Sequence, residues 1–404
     1  MQTQKITFKM FKKTLVLACL SSALLAQNIQ DFKKEQMQDF KDQATEFQSY
    51  KKAQESEFDA YVKEQEKVYN EYKKELEVFW QEPKLSTPKN WVSYEKDKQT
   101  RTDVDFENET ITIEAIAKNP EEAKQKLKLA LAKAVTIDTK TLQESDPLEI
   151  ELKKVKKPSG VVDSDVKADP ILSTVIFDKK PTQNDVKLYV EKNVVISDIK
   201  AKKSSKITDA KVYSLNVTLP QDTMIKRSKV YYNDVKKHAK RQELPASLVF
   251  AVMHSESNFN PRARSHIPAF GLMQIVPKSA GIDSYNFLYN EKKLVSGTYL
   301  YDSTNNITMG SAYLHILYYR YLKDIKDPTS RLYCTIAAYN TGAGNIAWAF
   351  TKTNNMKKAA PLINKLSSQK VYDKLLKDLK YDEPKHYLKR VNTRMGSYHK
   401  LYGI

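Results

Sequence analysis

The stretch Leu248-Val-Phe-Ala-Val-Met-His-Ser-Glu-Ser-Asn-Phe-Asn260 constrains the fold more than any other part of the chain. It reads as a helix. Pro245 sits near its start, where a missing N–H is harmless, and Asn258 with Asn260-Pro261 ends it. At helical spacing Val252 and Met253 lie one turn behind Glu256, with Leu248 and Val249 a turn further back. Glu256 is therefore the last step of an apolar stripe, a carboxyl group held at the inner end of a mostly apolar helix. Such a setting disfavours the ion and predicts a raised pKa. A proton kept near neutral pH is what a general acid needs. A lone glutamate here equally fits a cap for a neighbouring helix, or a partner for one of the many Lys and Arg.

A chain of 404 residues predicts two or three domains, and 41% hydrophobic residues suffice for real cores. The 29% charged fraction marks a soluble protein. A net charge of +18 favours an anionic partner such as nucleic acid, a membrane surface or an acidic polymer. A general richness in Lys accounts for it equally well. The basic residues are spread out, with no arginine-rich arm and no zinc-finger spacing, so nucleic acid is not expected as a partner.

At the N-terminus Lys5, Lys9, Lys12 and Lys13 precede the short apolar run Thr14 to Ala26, after which the chain turns polar. This pattern predicts a secretory signal over residues 1–26, with cleavage after Ala23 or Ala26, and an exported, periplasmic protein. The run is too short to span a membrane. Cys19 after Leu17-Ala18 also resembles a lipoprotein acylation site, which leaves peripheral or lipid-anchored attachment to the outer membrane open. If Cys19 leaves with the signal, Cys334 is alone and no intrachain disulfide forms.

Residues 27–220 read as an accessory region. A long helix over about residues 29 to 80 carries Phe47, Phe58, Tyr69 and Trp80 every eleven residues, with Tyr50, Tyr61 and Tyr72 in the same period. Eleven residues span three turns almost evenly, so the aromatic ridge stays on one side. It must lie on something: its own domain, a partner helix, another copy, or a glycan or membrane surface. Glu82-Pro to Pro88 breaks the helix. A mixed α/β module follows, with strands predicted over Thr110–Ile116, Leu148–Leu152 and Val212–Leu219 and a helix from Pro120 to about Val135. Lys157 to about Pro170 reads as a loop. No catalytic constellation stands out in this module, whose expected role is scaffold or interaction.

Residues 221–404 read as all helical. A basic helix is predicted from Ile225 to Arg241, then the Glu256 helix, then helices over Ile307–Leu322 and Arg331–Tyr339, the last stopped by Gly342. Between and after them stand Gly271-Leu-Met-Gln274 and Ala338-Tyr-Asn340.

Glu256-Ser257, Gly271-Leu-Met-Gln274 and Ala338-Tyr-Asn340, in this order and spacing, resemble the three signature motifs of the family-1 lytic transglycosylases. Asn260-Pro-x-Ala263 and Ser265 match the usual run between the first two. The long helix with Phe47-Gln-Ser-Tyr-Lys-Lys, Trp80 and Asp103-Val-Asp-Phe106 resembles the N-terminal domain of one membrane-bound branch of that family. The resemblance implies an α+β protein whose C-terminal all-α domain has the goose-type lysozyme-like fold and cleaves peptidoglycan glycan strands. It implies Glu256 as the acid that protonates the oxygen between N-acetylmuramic acid and N-acetylglucosamine. The same group then takes the proton of the muramyl C6 hydroxyl, which closes on C1 as a 1,6-anhydro ring.

Further roles come with the resemblance. Tyr339 would hydrogen-bond and orient Glu256, Asn340 would contact saccharide, Gln274 and Met273 would line the cleft, and Ser257 would help position the reacting group. Glu383 and Tyr387 match a Glu-x-x-x-Tyr pattern, with Tyr387 near the reacting sugar. Pro384 stands where Thr is more usual, and Pro268 replaces a Gly. For Met273, Tyr339 and Tyr387 core packing is the alternative. A hydrolase would need a second carboxylate, and Asp283, the nearest downstream, matches no motif. A hydrolytic muramidase and a non-catalytic peptidoglycan-binding scaffold are the competing functions. The six His are scattered, so His254 and His266 read as surface or packing residues, and no metal or cofactor is expected.

Overall fold

The computed structural model describes residues 56–265 and 268–404. The expected leader, Phe47, Tyr50 and His266 lie outside the described residues. The chain divides into two compact units, Met1–Ala60 and Tyr61–Ile404, and the account below concerns the second.

Helix α1, whose described part covers residues 56–77, is followed by β1 (Asn90–Tyr94), β2 (Thr100–Asp105), β3 (Thr110–Ala117), α2 (Pro120–Thr136), α3 (Thr139–Ser145) and α4 (Pro147–Lys154). Next come α5 (Ser173–Ile176), α6 (Gln183–Asn193), β4 (Lys200–Lys203) and β5 (Lys211–Thr218). Among the described residues the strands form one antiparallel sheet of order β1-β2-β3-β5-β4. Ile111, Ile113 and Ala115 of β3 alternate onto one face, where they meet Ala123, Leu127 and Leu131 of α2. The other face is covered by the end of α1. Tyr72, Leu76 and Trp80 pack with Tyr94, Ile116 and Val212, and the Trp80 indole donates to Lys98 O at 2.7 Å. In this part of the ridge the aromatics are packing residues within their own domain.

Two sequence-based expectations fail here for local reasons. Leu148–Leu152 alternates as a strand would, yet it is helix α4. Asp146 caps Leu148 N and Glu149 N, Pro147 occupies the first turn, and Leu148 and Leu152, four apart, share the buried face. The long basic helix from Ile225 is broken in two, α7 (Thr223–Val230) and α8 (Tyr232–Arg241). The break at Tyr231 lets its ring stack on Phe259, with ring centres 6.3 Å apart.

From α7 onward the described chain is helical: α9 (Ala246–Ser257), α10 (Ile282–Tyr289), α11 (Gly297–Tyr301), α12 (Ser303–His315), α13 (Pro328–Thr341), α14 (Ala343–Thr351), α15 (Met356–Ile363), α16 (Ser368–Asp378) and α17 (Asp382–Tyr402). The fold is therefore α+β, with its helical part C-terminal. Helix α12 starts four residues earlier than predicted, because Asp302 caps it, and continues as a π-helical segment over Ile316–Tyr321. Every residue from Leu248 to Met253 is fully buried, and α9 lies between α8 and α17. Burying each large apolar side chain contributes roughly 1.5–3 kcal/mol, so α9 is a fixed rod rather than an adjustable arm.

Candidate active site

Glu256 stands in the last turn of this rod, partly buried. Immediately after it the backbone turns left-handed at Asn258 (φ 50) and Phe259 (φ 59), which ends the helix as the sequence predicts. Burial pushes the Glu256 carboxyl up from its ordinary 4.5 to about 7. Tyr387, Lys89 and Arg390 oppose that rise, and Glu383 adds to it.

The Gly271–Gln274 segment is a tight loop closed by a backbone pair, Phe270 N to Ile275 O and Ile275 N to Phe270 O, both 3.1 Å. It is held from three sides. Ser257, wholly buried, donates from Oγ to Leu272 O at 2.8 Å and tethers the loop to α9. Asn306 of α12 accepts from Met273 N and donates to Phe270 O and Leu300 O, all at 2.8 Å. Tyr339 of α13 donates to Met273 O at 2.8 Å. The loop has no room for a side chain at Gly271. With φ +73, a Cβ there would sit 2.3 Å from Asn306 Nδ2 and 2.4 Å from Leu300 O. Gln274 is left-handed without being glycine (φ 49), donates from Nε2 to Gly271 O, and keeps its buried Oε1 without a partner.

The structure thus gathers Glu256, Ser257, Met273, Gln274 and Tyr339 about one loop and one helix end, though not always in the expected contacts. The phenol proton of Tyr339 goes to Met273 O, not to Glu256; Tyr339 still lies within the electrostatic reach of Glu256. The Met273 side chain is fully buried against Gly310, whose lack of a Cβ leaves it space. Asn340 is exposed at the end of α13. Tyr387 of α17 is 1% exposed and its hydroxyl has no hydrogen-bond partner of normal geometry, although it lies close enough to Glu256 to favour the carboxylate. Burial, then the Glu256 carboxyl, keep the Tyr339 and Tyr387 phenols protonated well above the ordinary range. The carboxylate facing Glu256 is Glu383, exposed and paired with Arg390 at 3.3 Å; Asp283 accepts from Tyr321 at 2.9 Å.

Asn306 and the cations Lys89, Arg390 and Arg394 are parts of this site that sequence reading passes over. Only a buried Asn inside an apolar helix hints at the first, and nothing local marks the others. His254 packs between Phe259 and Tyr398, accepting or donating at 3.0 Å to the Tyr398 hydroxyl. Among the described residues no group of three or more His, Cys, Asp or Glu is arranged to hold a metal ion.

The family model "Transglycosylase SLT domain" matches residues 233–361, and "Membrane-bound lytic murein transglycosylase C, N-terminal domain" matches residues 45–229. Residues 233–361 thus carry a match to the SLT domain, and residues 45–229 a match to that N-terminal domain. Among curated proteins, membrane-bound lytic murein transglycosylase C of Klebsiella pneumoniae subsp. pneumoniae is 40% identical over 46% of this chain and 51% of its own length. Its counterpart in Photorhabdus laumondii is 38% identical over 46% of this chain and 52% of its own. The matches therefore span about half the length of these curated relatives. Of solved structures, the 70 kDa soluble lytic transglycosylase of Escherichia coli is similar at 25% identity and a TM-score of 0.35, over 45% of this chain and 26% of that one. The two family models between them cover the sheet-bearing region and most of the helical region, while each of these curated relatives is similar over less than half of this chain.

Proposed function

We propose that the chain is an exported peptidoglycan lytic transglycosylase, in which residues from about 221 onward are catalytic and Glu256 acts first as acid and then as base. The observation that carries this reading is the Glu256 carboxyl, which burial pushes up to about 7, at the end of a fixed helix beside two phenols and a tightly held loop in an SLT domain. Glu256 donates its proton to the oxygen linking muramic acid to glucosamine as that bond breaks. The carboxylate that remains is stabilised by Lys89, Arg390 and the Tyr387 hydroxyl, and it then accepts the proton of the muramyl C6 hydroxyl as O6 bonds to C1. One group serves both steps, and water is not consumed. Gln274 Oε1, which has no partner, is an acceptor free for the sugar, and exposed Asn340 is a further contact. Ser257 and Met273, both buried, serve through the loop they hold.

A glycan carrying acidic stem peptides suits a chain of net charge +18. The leader pattern and the curated relatives' name support export and membrane attachment, while no helix among the described residues is long and apolar enough to cross a membrane. Glu383 keeps a hydrolytic muramidase as the second reading, since it is the carboxylate nearest in effect to Glu256.

Mass spectrometry of products from purified sacculi tests the proposal, with Glu256→Gln as control. Muropeptides ending in 1,6-anhydromuramic acid, one water lighter than the reducing form and absent with the variant, are expected. Reducing ends would favour hydrolysis with Glu383, and no soluble product from the wild type would leave a binding scaffold.

A further inference from the structure

The last turn of a helix leaves carbonyls short of donors, and its dipole favours a cation there. At the end of α9 two cations arrive from different elements. Lys89, in the segment leading into β1, donates from Nζ to Ser255 O at 2.9 Å, Asn258 Oδ1 at 2.8 Å and His254 O at 3.3 Å. Arg394 of α17 donates from Nη1 to His254 O at 3.0 Å and Ser255 Oγ at 3.1 Å. These acceptors flank Glu256 in sequence. Arg394 comes from within the helical region, but Lys89 comes from the α/β module.

Lys89 is itself anchored to the sheet. Phe106 N, just past β2, donates to Lys89 O at 2.9 Å, and Phe106 O in turn accepts from Asn258 Nδ2 at 3.3 Å and Arg227 Nη2 at 2.9 Å. Asn260 Nδ2 reaches Pro88 O at 3.3 Å. Pro88, before Lys89, and Phe106, its backbone partner on the sheet, are thus both tied to residues just beyond Glu256, so a shift of the sheet edge would be felt by the end of α9.

We propose that Lys89 is a positioning residue for Glu256: it clamps the end of α9 to the sheet and supplies part of the positive field in which the carboxyl loses and regains its proton. This rests on the reading of Glu256 as general acid. The charged and titratable groups facing Glu256 are Tyr387, Arg390 and Glu383 from α17, Tyr339 from α13 and Lys89 from the module. Lys89 in turn faces Arg394, Arg390, Glu107 and Glu256. Burial, with Arg394 beside it, pushes the Lys89 ammonium down to about 8, so it is charged where Glu256 titrates. Removing that charge makes the Glu256 carboxylate less favourable and raises its titration midpoint.

The experiment uses the full chain with Lys89→Met and Lys89→Gln, the latter keeping hydrogen-bonding capacity without charge, and Lys89→Arg as the conservative variant. The Glu256 carboxyl is followed below pH 8 by carbon NMR of glutamate-labelled protein, its signal identified by its loss in Glu256→Gln. Turnover of purified peptidoglycan is measured against pH, and thermal unfolding checks folding. In the Met and Gln variants the midpoint is expected to rise by about 0.5 unit and the falling limb of the rate to follow it. Their kcat should drop about tenfold with little change in KM, and Lys89→Arg should retain the wild-type midpoint. An unmoved midpoint and kcat in either folded variant, whatever its melting temperature, overturns the proposal; so does a change confined to KM. If the wild type shows no turnover, the acid reading falls by itself, and the NMR midpoint alone still decides whether Lys89 acts on Glu256.

Discussion

Replacing Glu256 by Gln should make the protein more stable, and only above a definite pH. Burial raises this carboxyl from 4.5 to about 7, while the unfolded chain titrates it near the ordinary value. Below pH 4.5 it is protonated in both states and contributes nothing to the pH dependence. Between 4.5 and 7 the unfolded state ionises freely and the folded state does not, so the native fold loses ground steadily. Above 7 both are ionised and the penalty levels off. At about 1.4 kcal/mol for each pKa unit, the plateau is roughly 3 kcal/mol. Glutamine has nearly the same shape and no such titration, so the difference in unfolding free energy between Glu256→Gln and wild type should grow by roughly that amount from pH 4.5 to 8. Urea unfolding of both proteins at four or five pH values measures it. A difference that stays flat across that range would mean that Glu256 ionises as a surface carboxylate, and the acid role would lose its physical basis.

Tyr387→Phe removes a buried hydroxyl that has no hydrogen-bond partner of normal geometry but lies close enough to Glu256 to favour its carboxylate, so stability should stay within about 1 kcal/mol of wild type while turnover falls about 10- to 100-fold. Thermal unfolding and product release measured together check it, and parallel losses would point to plain packing. Gly271→Ala drives a Cβ into Asn306 and Leu300 at a left-handed position, so soluble yield and activity should both collapse, with at least about 3 kcal/mol lost in urea unfolding. Asn306→Leu strips three hydrogen bonds from the Gly271–Gln274 loop, leaving Met273 N unpaired and costing about 2–4 kcal/mol by the same assay. Arg262→Met leaves half-buried Glu149 without its cation and should cost about 3–5 kcal/mol in urea unfolding.

What the chain reveals when read alone is what local patterns dictate. The run Leu248 to Met253 announces a buried helix, and Asn258 with Asn260-Pro261 announces its end, because both follow from side-chain chemistry within a few residues. Thr110–Ala117 alternates, and it is a strand with both faces covered. Failure comes where two local rules compete or where distance enters. At Leu148–Leu152 the period of two suggested a strand, and the Asp146-Pro147 cap prevailed. At Tyr231 a continuous helical pattern hides a break that only the stacking partner Phe259 explains. Tyr339 stands beside Glu256 in space, but which oxygen takes its proton depends on a loop carbonyl that no motif mentions. Lys89 is one of many lysines until the sheet edge brings it to the end of α9.

The same contacts explain why the sheet-bearing module and the helical region form one compact unit. Val166 of the module joins the apolar core of the helical region, but much of the junction is built from charged and amide side chains: Arg262 to Gln143 at 2.7 Å and to Glu149, Asn260 to Pro88 O, Arg227 to Phe106 O, and Lys89 to the end of α9. The guanidinium of Arg262 also lies 3.8 Å from the centre of the Tyr301 ring. Buried polar junctions of this kind contribute little net stability, since desolvation offsets much of the attraction, but they tolerate few alternative arrangements. A greasy interface would hold the two parts together while letting them slide. A set of directional bonds concentrated on residues 254–262 fixes the one segment where a small displacement would move a carboxyl relative to its substrate. The module's contribution to chemistry is therefore best sought in the orientation and charge of the Glu256 turn, where its side chains end, rather than in residues of its own that meet the sugar.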